Sequence, residues 1–169
     1  MPRIAVTGHM NLTPETKSLV YTAVVKKLNE YNSSELIGIS CLARGADSIF
    51  AQAVLDTGGS LEVVLPSLNY RLAKVKPDHA QQFDDLLGRA TMVRTMPFDD
   101  ANRIAYEAAN EELLSSCDQL IAVWDGQGAL DRGGTAAAVA DAQARGLPVS
   151  IIWPERAARD RPVRTGDLP

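Results

Sequence analysis

Aromatic residues and positive charge are the two things that this sequence has little of. Phe, Trp and Tyr make up 5% of the 169 residues, and 17 Lys and Arg stand against 21 Asp and Glu, a net charge of −4 at pH 7. The apolar share therefore comes mainly from Ala, Val, Leu and Ile, which suits helices packed on a buried sheet better than a base-stacking surface. The acidic balance argues against a nucleic-acid partner, because it offers no field for counterion release.

Cysteines and long apolar runs are also scarce. Cys41 and Cys117 lie far apart and outside any CxxC or Cys/His pattern, so we predict reduced thiols and no metal site. No stretch approaches the roughly 20 apolar residues that span a bilayer, and the opening MPRIAVTGHM is too polar for the core of a signal peptide. We expect a cytoplasmic protein that has no membrane partner and needs no cofactor.

Short β-rich runs alternate with longer helical patterns, which is typical of β-α-β units and a mostly parallel sheet. The predicted strands cover residues 3–7, 36–40, 61–65, 91–95, 119–124 and 149–153. The predicted helices cover residues 14–31, 46–57, 78–90, 101–116 and 135–145, and 69–77 is predicted to be irregular. His79 is expected on the surface of its helix.

The chain is predicted to form one domain over residues 1–154. The remaining residues, 155–169, read ERAARDRPVRTGDLP, with four Arg, two Pro and almost no apolar side chain. We therefore expect a polar, mobile tail after the last strand.

Polar and glycine residues gather directly after the first, second and fifth predicted strands. Open parallel sheets place their ligands at the carboxyl ends of the strands, so these three loops are expected to meet at one crevice. The candidate ligand-binding residues are Thr7, Gly8, His9, Ser40, Arg44, Gly45, Asp125, Gly126, Arg132, Gly133, Gly134 and Thr135. No catalytic residue is assigned.

Anion capture is the chemistry that these loops offer. A glycine leading into a helix lets a phosphate approach free backbone N–H groups and the positive end of the helix dipole. Arg44 and Arg132 flank the two predicted helix starts and are candidates for a bidentate clamp. Asp125 is a candidate acceptor for ribose hydroxyls. Neither a GxGxxG fingerprint nor a Walker A lysine motif is present, so the sequence favours neither a nicotinamide dehydrogenase nor a P-loop NTPase.

Several of these residues have an equally good structural interpretation. The hydroxyls of Thr7 and Ser40 bind phosphate or cap a turn, and Asp125 contacts a ligand or shapes the turn before Gly126. His9 holds its loop or touches a ligand. The sequence alone leaves these alternatives open.

Five blocks of sequence, in this order, resemble the SLOG superfamily, which includes the SMF/DprA proteins and the LONELY GUY phosphoribohydrolases. The resemblance covers nearly the whole chain and is closest to small stand-alone bacterial members. It implies a Rossmann-like three-layer sandwich, with a mostly parallel sheet of about six strands and helices on both faces, that binds nucleotides or nucleotide-derived ligands at its glycine-rich loops. The blocks are TGHMNL (7–12), SCLARGAD (40–47), LP (65–66), DQLIAVWDG (118–126) and GGTAAAVADAQARGLPV (133–149).

Two departures from the family pattern bear on function. The LONELY GUY enzymes carry PGGxGTxxE, whose glutamate serves in cleaving the base from a nucleoside monophosphate, and Ala138 stands at that position here. Alanine cannot act as an acid, base or nucleophile. The first loop of many relatives reads Gly-His-Arg, whereas this chain has Met10. These differences weaken the enzyme hypothesis and leave the binding hypothesis intact.

We therefore expect a protein that binds a nucleotide or nucleotide-derived phosphorylated ligand. The alternative is a hydrolase acting on the N-glycosidic bond of a nucleotide, or a nucleoside transferase, in which Asp47 or Asp125 orients a water. A DNA-processing role is a weaker third hypothesis because of the acidic charge. By analogy with the relatives, we expect a homodimer or a higher homo-oligomer.

Overall fold

Strands and helices alternate along the chain in the order that the sequence predicts. The computed structural model describes residues 2–128 and 134–160. Its strands are β1 (Arg3–Gly8), β2 (Ile37–Ser40), β3 (Ser60–Leu65), β4 (Met92–Thr95), β5 (Gln119–Val123) and β6 (Val149–Ile152). Its helices are α1 (Pro14–Leu28), α2 (Ala46–Asp56), α3 (Tyr70–Lys74), α4 (Pro77–Arg89), α5 (Arg103–Ser115) and α6 (Thr135–Ala144).

The six strands form one parallel sheet in the order β4-β3-β2-β1-β5-β6. From β1 the chain moves outward to β4 on one side, and then returns to add β5 and β6 on the other. The order therefore reverses between β1 and β5, where the connections leave the sheet in opposite directions. This switch point at the carboxyl ends of the strands is where open α/β sheets form a ligand crevice.

Alternate strand residues face two different helical layers. Ile4 and Val6 of β1 belong to a core cluster with α1 and α2, whereas Ala5 between them packs with α5 and α6. A third cluster joins β3 to α2 and α4. Apolar side chains on both faces of a parallel sheet require helices on both faces. The predicted three-layer α/β sandwich is confirmed.

The start of α1 shows how local sequence signals set the element boundaries. Thr13 has an extended backbone, and its side-chain oxygen accepts a hydrogen bond from the N–H of Thr16. Pro14 follows at the first helical position, where its missing N–H costs nothing. The N-cap and first-turn pair read from the sequence therefore fixes this end of the helix.

The structure corrects two details around α4. His79, expected at the surface, is 8% exposed, and its Nε2 lies 3.3 Å from the Ser48 hydroxyl and 3.2 Å from the Leu42 carbonyl oxygen. It shares one helical face with Phe83 and Leu86, and α2 covers that face. Residues 69–77, predicted as irregular, contain the short helix α3.

The first part of the segment predicted as a tail lies on the loop between β1 and α1 (residues 9–13), which we call the first loop. Leu12 and Arg159 form an antiparallel bridge. The N–H of Ala158 donates to the hydroxyl of Thr16 (2.8 Å), and the Ala158 carbonyl accepts from the N–H of Thr13 (3.3 Å). We call residues 154–160 the strap. Residues 161–169 lie outside the described residues.

Candidate functional site

Two glycines bring the first loop against the start of α2. A Cβ atom on Gly8 would lie 2.4 Å from the Cβ of Ala46, and one on Gly45 would lie 2.6 Å from the carbonyl oxygen of His9. Gly45 has a φ of +80°, a conformation that favours glycine. The N–H of Ala46 donates to the same His9 oxygen (3.1 Å). The first N–H of α2 is therefore occupied by the carbonyl oxygen of His9.

A cavity of about 530 Å³ lies above the carboxyl ends of the central strands. This volume is within the range of about 300–1,000 Å³ typical of small-molecule sites. Residues 6–11 form one wall, and the segments after β2 and β3, the helix α5, the loop after β5 and the start of α6 form the others. The cavity thus occupies the switch point of the sheet. Its polar lining residues include Thr7, Asn11, Asp47, Asn110, Gln127 and Thr135.

One end of this cavity is acidic and aromatic. Asp47 lines it from the first turn of α2, and its Oδ2 accepts a hydrogen bond from the N–H of Ala43 (3.3 Å). Burial raises the pKa of the Asp47 carboxyl from 3.8 to about 7, against the lowering effect of that hydrogen bond. Burial also raises the pKa of the Cys41 thiol and of the Tyr70 hydroxyl, and the charge of Asp47 adds to both shifts. The Tyr106 ring lies 6.4 Å from the Tyr70 ring in an edge-on arrangement.

At the other end, His9 ties the first loop to the loop after β5. Its Nε2 accepts a hydrogen bond from the backbone N–H of Asp125 (3.2 Å) and lies 3.2 Å from a carboxylate oxygen of the same residue. Burial, and then the charge of Arg159, lower the pKa of His9, although Asp125 acts in the opposite direction. A neutral imidazole that accepts from a backbone N–H therefore fits this position. The edge of its ring packs on Trp153.

Arg159 of the strap reaches this same end of the cavity. Its Nε donates to the side-chain oxygen of Asn11 (3.0 Å), and its Nη1 lies 3.7 Å from a carboxylate oxygen of Asp125. Desolvation would raise the pKa of Asp125, but the N–H of Gln127, His9 and Arg159 together hold it below its usual value. The guanidinium thus brings a positive charge to a wall that the first loop forms without an arginine.

The start of α6 also opens on the cavity. Gly134 is the N-cap residue, and Gly134, Thr135 and Ala136 all contribute to the wall. Within residues 2–128 and 134–160, no side chain caps this helix start. Its first N–H groups and the helix dipole therefore face the space in which a ligand would sit.

Five of the predicted binding residues line the cavity, and five others lie outside its wall. Thr7, Gly8, His9, Gly134 and Thr135 line the cavity. Arg132 and Gly133 lie outside the described residues. The residues that fall outside the cavity wall are Ser40, Arg44, Gly45, Asp125 and Gly126.

Most of these five have a structural role. The buried Ser40 hydroxyl donates to the carbonyl of Asp47 (2.9 Å) and accepts from the N–H of Leu42 (3.1 Å). Arg44 makes an ion pair of 2.9 Å with Asp78 of α4. Gly45 allows the close approach described above.

Asp125 and Gly126 lie farther along the loop after β5. Asp125 lines a smaller cavity of about 360 Å³ beside the strap, together with Trp153 and Arg159. Gly126 has a φ of +80° in a turn with open space around it. Arg159 therefore lies between the two cavities, since it contributes to the wall of each.

Sequence reasoning missed Arg159 and Tyr106 as residues of this wall. Arg159 lies more than thirty positions beyond Gly126, in a segment whose composition indicates a tail. Tyr106 lies on α5, which carries none of the predicted site residues. The sequence signal for the site was the pattern of glycines after the strands. This pattern marks loops that can approach a phosphate, and it does not identify side chains that come from other segments of the chain.

The carboxylates of α5 lie outside the cavity wall, as does Ala138. Glu107 pairs with Arg103, Glu111 with Arg145, and Glu112 with Arg94, all on the outer part of the helix. The 5% exposed Ala138 packs on the inner face of α6. These positions offer no acid or base to a ligand in the cavity.

The described part of the chain contains no cluster of three His, Cys, Asp or Glu side chains that could hold a metal ion. None of the helices in residues 2–128 and 134–160 combines the length and apolar character needed to cross a membrane.

Comparison with known proteins identifies the fold. Neither a protein-family model nor a curated protein matches the chain. Among solved structures, DNA processing protein A (DprA) from Streptococcus pneumoniae matches with a TM-score of 0.66 and 19% identity over 92% of this chain. DprA from Helicobacter pylori, described by its single-stranded DNA binding mode, matches with a TM-score of 0.66 and 16% identity over 89% of the chain.

The chain spans about half of the first of these proteins and somewhat more of the second, 51% and 64% of their lengths. The molybdenum cofactor binding protein from Rippkaea orientalis matches with a TM-score of 0.56 and 21% identity, over 89% of this chain and 75% of that protein. At these identities the likeness concerns the fold. The chain therefore has the Rossmann-like fold that the SLOG superfamily resemblance implies, shared with DprA and with the molybdenum cofactor binding protein.

Proposed function

We propose that the protein binds a nucleotide, or another small phosphorylated ligand, in the cavity at the switch point of the sheet. The observation that carries this proposal is the convergence of the first loop and the start of α6 on one space of about 530 Å³. Concave sites with a few convergent polar groups are the usual form of small-molecule sites, and the ends of parallel strands are their usual place.

The phosphate is proposed to lie against Gly134 and Thr135. An anion at a helix start gains roughly 0.3–1 kcal/mol from the dipole, and more where it is partly buried. The start of α2 is the weaker candidate, because its first N–H already donates to the His9 carbonyl and the Asp47 carboxyl of its first turn faces the same cavity. Of the two helix starts named from the sequence, we therefore favour the start of α6 as the phosphate site.

The neighbouring structures support a ligand at this fold without fixing its chemistry. One is named for binding the molybdenum cofactor and another for binding single-stranded DNA. We favour a small ligand, because the chain is acidic overall and its cavity is partly enclosed by the strap.

A thermal-shift screen against nucleoside mono-, di- and triphosphates tests this proposal. A ligand that binds only the native state raises stability by RT ln(1 + [L]/Kd). The variant Gly134→Asp places a negative charge at the phosphate position and should abolish every stabilising hit. Gly88→Asp is the matched control, because Gly88 is exposed on α4 with open space around it.

Retention of the hits in Gly134→Asp would refute the phosphate position, and a wild-type protein that no nucleotide stabilises would refute the function itself. Strong, salt-sensitive binding of a single-stranded oligonucleotide would favour a DNA-processing role instead.

The position of Asp47 supports a second candidate, hydrolysis of a nucleotide N-glycosidic bond. A cavity carboxyl whose pKa is raised to about 7 is suited to deliver or accept a proton near neutral pH. In this reaction water adds to the sugar carbon, the bond to the base breaks, and the base leaves with a proton. Release of free base and ribose 5-phosphate by the wild type, and its loss in Asp47→Asn, would establish the enzyme. Saturable binding without release would exclude it.

The predicted homo-oligomer remains a proposal. Exposed apolar side chains on α5, chiefly Ile104 at 63% exposure, offer a surface for a second copy. Light scattering at several protein concentrations measures the mass directly, and a monomer throughout would refute the proposal.

A further inference from the structure

The two charged ends of the cavity are built from separate sets of residues. Asp47 has Ala43, Cys41 and Tyr70 as its neighbours, on the segments that follow β2 and β3. Arg159 contacts Asn11 and Asp125, which follow β1 and β5. The cavity therefore has an acidic side and a basic side that share no partner among these contacts.

Arg159 keeps unused hydrogen-bonding capacity at the basic side. A guanidinium carries five N–H donors, and among the described residues only its Nε makes a hydrogen bond, to Asn11. The 3.7 Å separation from Asp125 is a charge contact without a hydrogen bond. The outer nitrogens are thus available for the planar, bidentate contact that arginine makes with phosphate.

Asp47 keeps unused capacity at the acidic side. An ionised carboxylate has about four acceptor positions, and the described residues supply one N–H donor, at 3.3 Å from Oδ2. A partly buried carboxylate with so few hydrogen-bond donors lowers the stability of the folded protein. A ligand group that brings N–H donors would reduce this cost, and the Tyr70 and Tyr106 rings beside it suit a flat base.

We propose that the cavity holds its ligand in one orientation, with the phosphate at the start of α6 also in contact with Arg159 of the strap, and with an amino group of the base on Asp47. This inference rests on the proposed nucleotide function and adds the substrate class, a nucleoside phosphate whose base carries an exocyclic amino group. It also makes the strap part of the binding site.

Three probes separate the two ends. AMP carries both groups, adenosine lacks the phosphate, and purine riboside 5′-monophosphate lacks only the amino group. Calorimetric dissociation constants are measured at pH 8, where the Asp47 carboxyl is mostly ionised. Since hydrogen bonds to charged groups are worth at least a factor of about ten, the wild type should prefer AMP to each of the other probes by about tenfold or more.

The variants should remove one preference each. Arg159→Gln should lower the preference for AMP over adenosine by about tenfold while the preference for the amino group stays. Arg159→Lys should keep part of the phosphate preference. Asp47→Ala should remove the preference for the amino group and leave the preference for the phosphate unchanged. Asp47→Asn should have the same effect in a milder form. Matched controls are Arg156→Gln, an exposed arginine of the same strap, and Asp56→Ala, an exposed residue at the other end of α2.

Two results overturn the inference and are distinguishable. If the wild type binds AMP but both ratios are unchanged in the Arg159 and Asp47 variants, the orientation is wrong and nucleotide binding stands. If the wild type binds none of the three probes and no other nucleotide, the proposed function fails together with the orientation.

Discussion

Replacement of Asp47 by Asn should stabilise the protein, and the gain should grow with pH. The folded protein holds this carboxyl in a partly buried wall where burial raises its pKa from 3.8 to about 7. The unfolded chain exposes it to water. Between these two pKa values the native state keeps a proton that the unfolded state releases, so the free energy of unfolding falls as pH rises. Asparagine removes this cost and can still accept the hydrogen bond from the N–H of Ala43.

The size of the effect follows from the two pKa values. Below about pH 3 both states are protonated, and the variant and the wild type should differ little. Near pH 4.5 the expected gain is about 1 kcal/mol, and above pH 7 it levels off at about 4 kcal/mol, because a tenfold difference in proton affinity between the two states corresponds to about 1.4 kcal/mol. Partial exposure of the side chain makes this an upper value, so we expect about 2–4 kcal/mol at pH 8.

Urea unfolding at pH 4.5 and pH 8, followed by circular dichroism, measures this difference. Asp56→Asn is the control, because Asp56 is an exposed carboxylate on the same helix. Titration of the other groups is common to variant and wild type and cancels in the comparison. A gain at pH 8 no larger than that at pH 4.5, or no larger than that of Asp56→Asn, would show that Asp47 is not held at a cost in the folded state. Such a cost is expected of a group kept for a ligand.

Two further changes test the framework around the site. Gly45→Ala should lower the free energy of unfolding by at least about 2 kcal/mol, because its φ is +80° and the added Cβ would meet the His9 carbonyl oxygen at 2.6 Å. The control Gly88→Ala, in open space on α4, should be neutral or slightly stabilising. Equal effects of the two substitutions in urea unfolding would contradict this reasoning. Glu62→Gln should lower the free energy of unfolding by about 1–3 kcal/mol without changing nucleotide affinity, since the Glu62 side chain is 9% exposed and pairs with Arg3 (2.7 Å) and Arg94 (3.4 Å) near the opposite edge of the sheet. A nucleotide affinity that falls together with the free energy of unfolding would show that the Glu62–Arg3–Arg94 network supports the cavity.

The glycine-rich loops were predictable because their signals are local. Gly8 and Gly134 were identified from their positions between a strand and a helix, and both line the cavity. The same signal marked Gly45 and Arg44, which lie outside the cavity wall. In the sequence, a glycine before a helix is the same signal whether the helix start is open to a phosphate or contacts another loop. Here the carbonyl oxygen of His9 contacts Gly45 and accepts the N–H of Ala46 at the start of α2.

Side chains that arrive from distant segments were not predictable. His79 looks like a surface residue until α4 packs on α2 and turns that face inward. Arg159 looks like part of a tail until the backbone of the strap pairs with Leu12. In both cases the deciding contact joins residues far apart in the sequence, and no local pattern encodes it.

By itself, the sequence determined the order of the strands and of the helices other than α3, the parallel α/β class and the edge of the sheet at which the glycine-rich loops gather. These follow from hydrophobic periodicity, caps and glycines, which act over a few residues. The tertiary structure alone decided that the carbonyl of His9 takes the first N–H of α2, which charges face the cavity, and that one end is acidic at Asp47 and the other basic at Arg159. Those features depend on the distances between separate segments and on burial, which shifts the pKa of Asp47 only after the chain has packed.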